Sequence, residues 1–389
     1  MPATLPIGTV VESGDIAELN AQRFNRHTFW CGQSGSGKTY ALGVVLEQVL
    51  AHTSLPLVIL DPNADFVRLG EVRPEAASTG TAAALAGRDI RVLRPGDRDD
   101  SLRVRFSALP FPIKAALLRL DPLDDRAEYN ALLHLQERYP INDERSIVER
   151  LRESGDPVHH ALAERVENLA LDDWGLWAGE RAAATEIIET RPDATVLDLG
   201  GFRYAEEPLV VALSVLDDLW TRREQRRPVL IVIDEAHNLC SPDLDSPLGR
   251  AVREQIIRIA AEGRKYGLWL LLSTQRPSKV HQGIISQCDN LALMKMTSPI
   301  DLAELASIFG FVPESSSSRR CSRRAWHCSR AGSSEPRRSC RWATASPSRA
   351  AATWACRCGE HTHPVRARGE RGRRDPAHGG IPCAAGRAR

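Results

Sequence analysis

A glycine-rich octet near the amino terminus has the residue types that bind phosphate groups. Its members are Gly32, Gln33, Ser34, Gly35, Ser36, Gly37, Lys38 and Thr39. A glycine, four further residues and then Gly-Lys-Thr is the pattern typical of a loop that wraps the phosphates of a nucleotide. Glycines let the backbone approach closely, so that N–H groups and the start of the next helix face negative charge. We therefore expect ATP here, with Lys38 on the β and γ phosphates, Thr39 on a Mg²⁺ ion, and Tyr40 within the nucleotide-binding segment.

An acidic pair ends a short apolar run in the second half of the chain. Residues 229–233 are all aliphatic, follow Pro228 and lead into Asp234 and Glu235. Such a run is typical of a buried parallel strand, whose carboxyl end lies at the crevice where α/β sheets bind ligands. Asp234 would then hold the Mg²⁺ ion, and Glu235 would act as general base toward the attacking water. The alternative is that the two acids only open a helix, because helix N-termini favour negative charge.

A third apolar run, residues 268–272, ends in Ser-Thr-Gln-Arg-Pro. It predicts a neighbouring core strand with Gln275 at its tip, where the amide could contact the γ phosphate or the attacking water. The alternative is a turn closed by Pro277. Between the two runs, a helical pattern over 248–262 leads to Arg264 and Lys265. Either cation could reach a site across a subunit boundary, or both could simply lie at a helix C-terminus.

The remaining patterns describe elements that would hold these residues together. Residues 27–31 predict the strand before the octet, and 40–51 have the apolar spacing of a helix. Residues 56–62 predict a strand with Asp61 at its tip, either as a site residue or as a turn cap before Pro62. Further strands are predicted at 90–93, as an edge strand, and at 195–202, with a helix over 208–226 before the acidic pair. The fold class is thus α/β, with a parallel sheet flanked by helices.

Together, the octet, residues 233–239, residues 262–267 and residues 273–277 resemble the HerA/FtsK group of P-loop motors, and most closely HerA. The resemblance covers about residues 23–312. It implies a RecA-like ATPase core with an extra catalytic glutamate, in a homo-oligomeric, hexameric ring that moves double-stranded DNA. It also implies that Arg264, rather than Lys265, completes the neighbouring subunit's site. The tetrad 234–237 is also similar to DEAH helicases, but residues 273–277 suit the ring motors better.

The sequence divides into four parts on this interpretation. Residues 1–111 and 192–313 form the two parts of the ATPase core, and 112–191, helical and charged, form an insertion. HerA proteins usually begin with a small β-barrel. Only about twenty-five residues precede the first core strand, and 7–14 predict at most one strand, so we expect a relative without the barrel. No cysteine or carboxylate cluster lies at metal-ligand spacing beside His134, His159 or His160. We therefore expect these histidines on a solvated helix surface rather than in a metal site.

Residues 314–389 predict a disordered tail. From 315 onward they contain no Leu, Lys, Phe, Tyr, Asn or Gln, but 17 Arg and 6 of the 9 Cys. Such a composition cannot build a core. A basic arm for nucleic acid and a cysteine metal cluster are alternatives. We favour the hypothesis that this segment is translated in a reading frame shifted by one base. Bases that encode the serines at 315–318 can encode leucines when they are read from one base earlier. The nucleotide sequence near codon 315 tests this hypothesis.

Residues 315–389 carry a net charge of +13, which leaves residues 1–314 at about −12. This acidic balance argues against a broad DNA-binding face, although a few cations repeated around a ring would suffice. Lys279 and His281 are candidates, or else belong to a solvated loop. Cys31, Cys240 and Cys288 are widely separated and predict reduced core residues. We find no signal region and no apolar run of membrane-spanning length, so we expect a cytoplasmic protein.

Two functions fit these features. The first is an ATP-dependent translocase that moves on double-stranded DNA in repair or defence. The second is an ATP-gated oligomeric switch that assembles and activates a partner nuclease or other effector. Stimulation of ATP turnover by DNA favours the first, and stimulation only by a partner favours the second.

Overall fold

The computed structural model describes residues 4–10, 13–72, 80–96, 98–138, 147–309, 326–328, 340–344 and 353–358. The strands of these ranges are β1 (Thr4–Val10), β2 (Ile16–Asn20), β3 (Thr28–Cys31), β4 (Leu57–Asp61), β5 (Ile90–Leu93), β6 (Ala194–Asp198), β7 (Val229–Ile233), β8 (Leu268–Thr274), β9 (Asn290–Leu293), β10 (Trp326–Cys328), β11 (Cys340–Thr344) and β12 (Thr353–Cys358). The helices are α1 (Lys38–His52), α2 (Gly80–Ala86), α3 (Phe111–Leu117), α4 (Arg126–Arg138), α5 (Ile147–Glu153), α6 (Pro157–Asn168), α7 (Ala184–Glu189), α8 (Glu207–Thr221), α9 (His237–Cys240), α10 (Pro247–Glu262), α11 (Gln282–Ile285) and α12 (Pro299–Ile308).

The central sheet is parallel from β9 to β5. Its strand order is β9-β3-β8-β7-β4-β6-β5, which places β5 at an edge, as predicted. Strand β12 pairs parallel with β9, and β11 pairs antiparallel with β12. Helices cover the sheet, so the predicted α/β fold is confirmed. Because the strands are parallel, the segments that follow β3, β7 and β8 meet at one edge.

Successive side chains of each strand enter two separate apolar clusters, one on each face of the sheet. Phe29 belongs to the cluster that includes α8 and α10, and Trp30 belongs to the cluster that includes α1. Nearly every residue of the inner strands is buried. This two-sided burial explains why the runs are apolar throughout rather than alternating.

The charged region between the core segments forms helices α3 to α7. Leu151, Leu162 and Val166 belong to the same apolar cluster as Val58 of β4 and Ile256 of α10. These helices therefore share a core with one face of the sheet. The domain boundaries at 112 and 191 stay a prediction.

The prediction of a solvated surface is wrong for His159, which is 2% exposed. His159 lies on α6 with Leu162, Ala163 and Val166 among the buried residues of that helix. This spacing places all of them on one helix face, which packs inward. His134 and His160 are exposed. In the described ranges, no group of three or more His, Cys, Asp or Glu residues stands ready to hold a metal ion.

Strands β1 and β2 form an antiparallel hairpin on the α1 side of the sheet. The segment 7–14 contributes to β1, as predicted, but the sequence analysis missed β2. Leu5, Ile7, Ala17 and Leu19 bury the inner face of the hairpin against the cluster of α1. Five residues with only two buried positions give too short an alternation to detect in sequence.

Three short strands, β10 to β12, lie in the segment that was predicted to be disordered. Strand β10 pairs antiparallel with β1. The other residues of 314–389 lie outside the described ranges, and the frameshift hypothesis concerns the gene. Of the helices described, none combines the length and apolar character that crossing a bilayer requires.

Shortening Leu162 to alanine tests whether the inserted helices and the sheet share one core. Leu162 is fully buried, so we expect Leu162→Ala to lower the free energy of unfolding by about 2–5 kcal/mol. Denaturant unfolding followed by circular dichroism measures this, and a single transition should shift as a whole. Leu133→Ala, at a residue that is 46% exposed, is the matched control and should have little effect. A separate early transition, with the rest unchanged, would contradict the shared core.

Candidate active site

The glycine-rich octet forms the loop between β3 and α1. Gly37 takes the left-handed backbone conformation at the start of α1, with φ of +84°. A Cβ atom on Gly32 would lie 2.6 Å from Met294 Cβ, so the segment at Met294 leaves no room for a side chain at position 32. The loop is anchored to the next strands, since the Gly32 amide donates to the Thr274 carbonyl (3.3 Å) and the Gln33 amide to the Lys295 carbonyl (2.9 Å).

The outer side of the loop is open. Ser34 and Gly35 are exposed, and Gly37, the N-cap residue of α1, has no side chain that could cap the first turn. The N–H groups at the start of a 15-residue helix therefore face the crevice, where they favour an anion. Gln33 is held by the Thr297 hydroxyl, which donates to Gln33 Oε1 at 2.8 Å. Tyr40 is half-buried beside the cluster of α1.

Lys38 joins the loop to the two neighbouring strands. Its ammonium group donates to Asp234 Oδ1 at 3.0 Å and to Ser273 Oγ at 2.9 Å. It also lies 3.3 Å from Glu235 Oε1. The Lys38 side chain is only 4% exposed, so these charges interact with little solvent screening. The structure thus brings together the predicted residues of the loop and of the acidic pair.

Asp234 has an oxygen that fits a cation. Its Oδ1 accepts from Lys38, whereas Oδ2 is buried without a hydrogen-bond partner in the described structure. An unpaired buried carboxylate oxygen is costly, and a metal ion or a metal-bound water would satisfy it. Thr39 follows Lys38 at the start of α1 and supplies a hydroxyl. Mg²⁺ prefers one or two such protein oxygens with phosphates and waters, so the residues present fit the ion.

Glu235 has a strained backbone and a heavily contacted carboxylate. Its φ of +42° lies in the left-handed region, which costs a non-glycine residue roughly 1–2 kcal/mol. The Gln275 amide donates to Glu235 Oε1 at 2.6 Å. Burial by itself would raise the pKa of Glu235, but hydrogen bonding by His237, the charge of Lys38 and the Gln275 contact outweigh it and lower the pKa to about 2. The carboxylate is therefore charged at neutral pH.

His237 is a site residue that the sequence analysis missed. Its Nδ1 lies 3.3 Å from Glu235 Oε2 and 3.2 Å from the Thr274 hydroxyl. The ring thus links the end of β7 to the end of β8. Its position two residues after Glu235 was the available signal.

Asp61 is the turn cap, the second of its two predicted roles. Its carboxylate accepts backbone N–H bonds from Asn63 (3.3 Å), Asp65 (3.1 Å) and Phe66 (2.7 Å). Burial raises the pKa of Asp61 to about 6 despite these bonds, with a further contribution from the charge of Asp234. Burial also raises the pKa of Asp65, which lies in the same turn, and the negative charge of Asp234 adds to this effect.

Arg264 does not reach the site of its own chain. It precedes β8, whereas Thr274 at the other end of that strand adjoins the loop. Seven strand residues span about 20 Å. Arg264 is ion-paired with Asp289, which Arg26 also contacts at 3.4 Å. Lys265 pairs instead with Glu262 at 3.0 Å.

The two residues considered for DNA have local partners. Lys279 is paired with Asp243 at 2.6 Å, and His281 Nδ1 accepts from the Gly283 amide at 3.1 Å. The three core cysteines, Cys31, Cys240 and Cys288, are free thiols and buried, as expected. Burial raises the pKa of each thiol well above its usual range.

The fold is that of the RecA-like P-loop ATPases, and a glutamate follows the aspartate at the end of β7. Among solved structures, the chain is similar to VirB4 of Thermoanaerobacter pseudethanolicus, with a TM-score of 0.52, 15% identity and coverage of 79% of this chain and 88% of that one. It is also similar to the plasmid coupling protein TrwB in complex with ADP and Mg²⁺, with a TM-score of 0.52, 12% identity and coverage of 92% and 95%.

Within this class the chain is HerA-like. The family model described as "Helicase HerA, central domain" matches residues 5–168. The DNA double-strand break repair helicase HerA of Saccharolobus solfataricus is 35% identical over 334 residues, which cover 76% of this chain and 59% of that protein. HerA of Pyrococcus furiosus is 22% identical over 335 residues, 74% and 58% of the two chains. The chain therefore spans less than two thirds of these relatives' length.

Replacing Lys38 with methionine tests how much its ammonium group stabilises the buried acidic pair. Without the ammonium group, Asp234 and Glu235 would be buried beside each other uncompensated, so we expect Lys38→Met to lower the free energy of unfolding by about 3–5 kcal/mol. Adding Asp234→Asn should recover part of this loss. Denaturant titrations in EDTA without nucleotide measure both effects.

Lys265→Met is the matched control, because Lys265 forms an exposed pair with Glu262 that contributes little to stability. If Lys38→Met proves no more destabilising than Lys265→Met, the buried ion pairs do not hold the site together.

Proposed function

We propose that this chain hydrolyses ATP as a subunit of a homo-oligomeric, hexameric ring that moves along double-stranded DNA in repair or defence. The observation that carries the proposal is the contact between Lys38 and Glu235, because it links the phosphate-binding residue to the residue suited to activate water. The HerA relatives, described as DNA double-strand break repair helicases, supply the DNA part of the proposal.

Lys38 and Glu235 suggest how ATP binding would prepare hydrolysis. In the structure the Lys38 ammonium group lies 3.3 Å from Glu235 Oε1. Its charge and hydrogen bond help to keep the pKa of the Glu235 carboxyl low. A carboxylate of such low basicity is a poor general base. When Lys38 turns to the phosphates, Glu235 loses this contact, its pKa rises and the carboxylate becomes a better proton acceptor.

Glu235 would then take a proton from water as the oxygen of that water bonds to the γ phosphorus. The bond from the γ phosphorus to the bridging oxygen breaks, which gives ADP and phosphate. Gln275, 2.6 Å from Glu235 Oε1, would orient both the carboxylate and the water. A Mg²⁺ ion held by Thr39 and Asp234 would neutralise charge that develops on the phosphate oxygens.

The ring part of the proposal rests on Arg264. This residue lies about the length of β8 from its own loop, and it is 42% exposed. An arginine at that position could stabilise phosphate charge only in a neighbouring subunit. Each site would then combine the loop of one subunit with Arg264 of the next.

ATP hydrolysis with and without long double-stranded DNA is the first test. We expect DNA to stimulate turnover several-fold, and Lys38→Ala and Glu235→Gln to abolish it, because they remove the phosphate contact and the general base. Phosphate release, measured at saturating ATP, is the readout. Turnover that ignores DNA but responds to a partner nuclease or other effector would favour the ATP-gated switch, for which the described structure offers no separate support.

Mixing two inactive variants tests the role of Arg264 across a subunit boundary. Arg264→Ala keeps an intact loop, and Lys38→Ala keeps Arg264, so neither homo-oligomer has a complete site. A mixed ring would contain some sites with both residues, and we expect equimolar mixing to restore a measurable fraction of wild-type turnover. Mixing Lys38→Ala with Glu235→Gln is the control, because both changes affect the same side of the site. No recovery in the first mixture would mean that Arg264 does not act in trans.

A further inference from the structure

We propose that an acidic loop of one copy of this chain docks into an arginine-lined cavity of a second copy. The loop comprises residues 121–125, Asp-Pro-Leu-Asp-Asp, between α3 and α4, and its anchor is the side chain of Leu123. This inference rests on the ring of the proposed function, and it names the surfaces through which neighbouring subunits meet.

The cavity lies at the amino-terminal edge of the central sheet. Its volume is about 590 Å³, including space open to solvent. The first residues of β4, β7 and β8 line it, namely Leu57, Val229 and Leu268, and all three are buried. The phosphate loop follows the opposite end of its strand, so the cavity and the candidate active site lie at different edges. Apolar lining of this kind accepts an apolar group.

Four arginines line the same cavity: Arg191, Arg222, Arg223 and Arg227. Arg222 and Arg223 form ion pairs with acids of their own chain. Arg191 donates to the Pro228 carbonyl at 2.9 Å, and neither it nor Arg227 has a carboxylate partner in the described part of the chain. Two arginines without acids beside an apolar cavity suit a ligand that combines carboxylates with an apolar side chain.

The acidic loop presents this combination. Leu123 is 71% exposed, and Asp121 and Asp124 on either side of it are exposed as well. The backbone is fixed, because Asp121 Oδ1 accepts from the amides of Leu123 (2.7 Å) and Asp124 (3.1 Å), and Arg126 Nε donates to the Leu123 carbonyl (2.8 Å). Asp124 has no ion pair among the described residues. A loop that is already ordered loses little conformational entropy when it docks.

The loop and the cavity lie at opposite ends of α8, so they cannot meet within one chain. Arg119, just before the loop, pairs at 3.2 Å with Glu206, which precedes α8. Arg222, which lines the cavity, follows the last residue of α8. The 15 residues of this helix span about 22 Å. The contact therefore joins two copies head to tail, and such a contact generates a ring when its rotation closes.

The same arrangement suits the role of Arg264 in a neighbouring site. Tyr266 lines the cavity and lies two residues after Arg264. Glu206, near the loop, belongs to the segment that follows the carboxyl end of β6, at the edge of the sheet that holds the phosphate loop. Docking would bring the amino-terminal edge of one subunit against the carboxyl edge of the next, as the action of Arg264 in trans requires.

Sedimentation velocity of the full chain, with Mg²⁺ and a non-hydrolysable ATP analogue, tests the contact. We expect Leu123→Ser to raise the protein concentration needed for half-assembly by about tenfold or more, because the burial of a leucine side chain is lost. Asp124→Arg and Arg227→Glu should each weaken assembly several-fold, since each places like charges opposite one another. The variant that carries both charge reversals should recover most of the wild-type assembly.

Ile16→Ser is the matched control and should assemble like the wild type. Ile16 is 65% exposed, but it lies on the hairpin at the α1 side of the sheet. All the substituted positions are exposed, and circular dichroism checks that each variant is folded. Wild-type assembly of Leu123→Ser and of both single charge reversals overturns this inference and leaves the ring of the proposed function standing. A wild type that stays monomeric in these conditions overturns the ring and this inference with it.

Discussion

The buried ammonium group of Lys38 is the interaction on which the site depends. It contacts Asp234, Ser273 and Glu235, so one cation lies between two carboxylates and joins the ends of β7 and β8 to the start of α1. Such a cluster forms only if the three elements lie side by side. The parallel sheet ensures this, because β3, β8 and β7 are adjacent and end at the same edge. Apolar packing on both faces of the sheet thus determines where the charges lie.

Outside this cluster, the site is assembled from short contacts between neighbouring strand ends. Gln275 and His237 both reach Glu235, and Asp61 shapes the turn after β4. The contacts of Gln275 and His237 join the segments that follow β8 and β7, whereas Asp61 holds the turn after its own strand. The charges are held by the ends of regular elements rather than by long loops, which favours fixed distances between the groups.

The features that sequence predicted were those with a local signature. Strands β3 to β8 and the phosphate loop were predicted from short apolar runs that end in polar residues, because burial on both faces dictates such runs, whereas β9 was missed. The positions of His159 and His237 were beyond this reasoning. His159 occupies one position of an otherwise apolar stripe, and His237 meets Glu235 and Thr274 only because two strands end side by side. The distance of Arg264 from its own loop is set by the strand that separates them, so it required the fold.

The backbone at Glu235 has a consequence for anyone who redesigns this chain. A glycine there would relieve a left-handed conformation that a glutamate tolerates only at some cost in stability. Computational or directed selection for thermal stability alone would therefore reward loss of the carboxylate. Under the proposed function, in which Glu235 activates water, thermostable variants need position 235 held constant, because stability and activity favour different residues there.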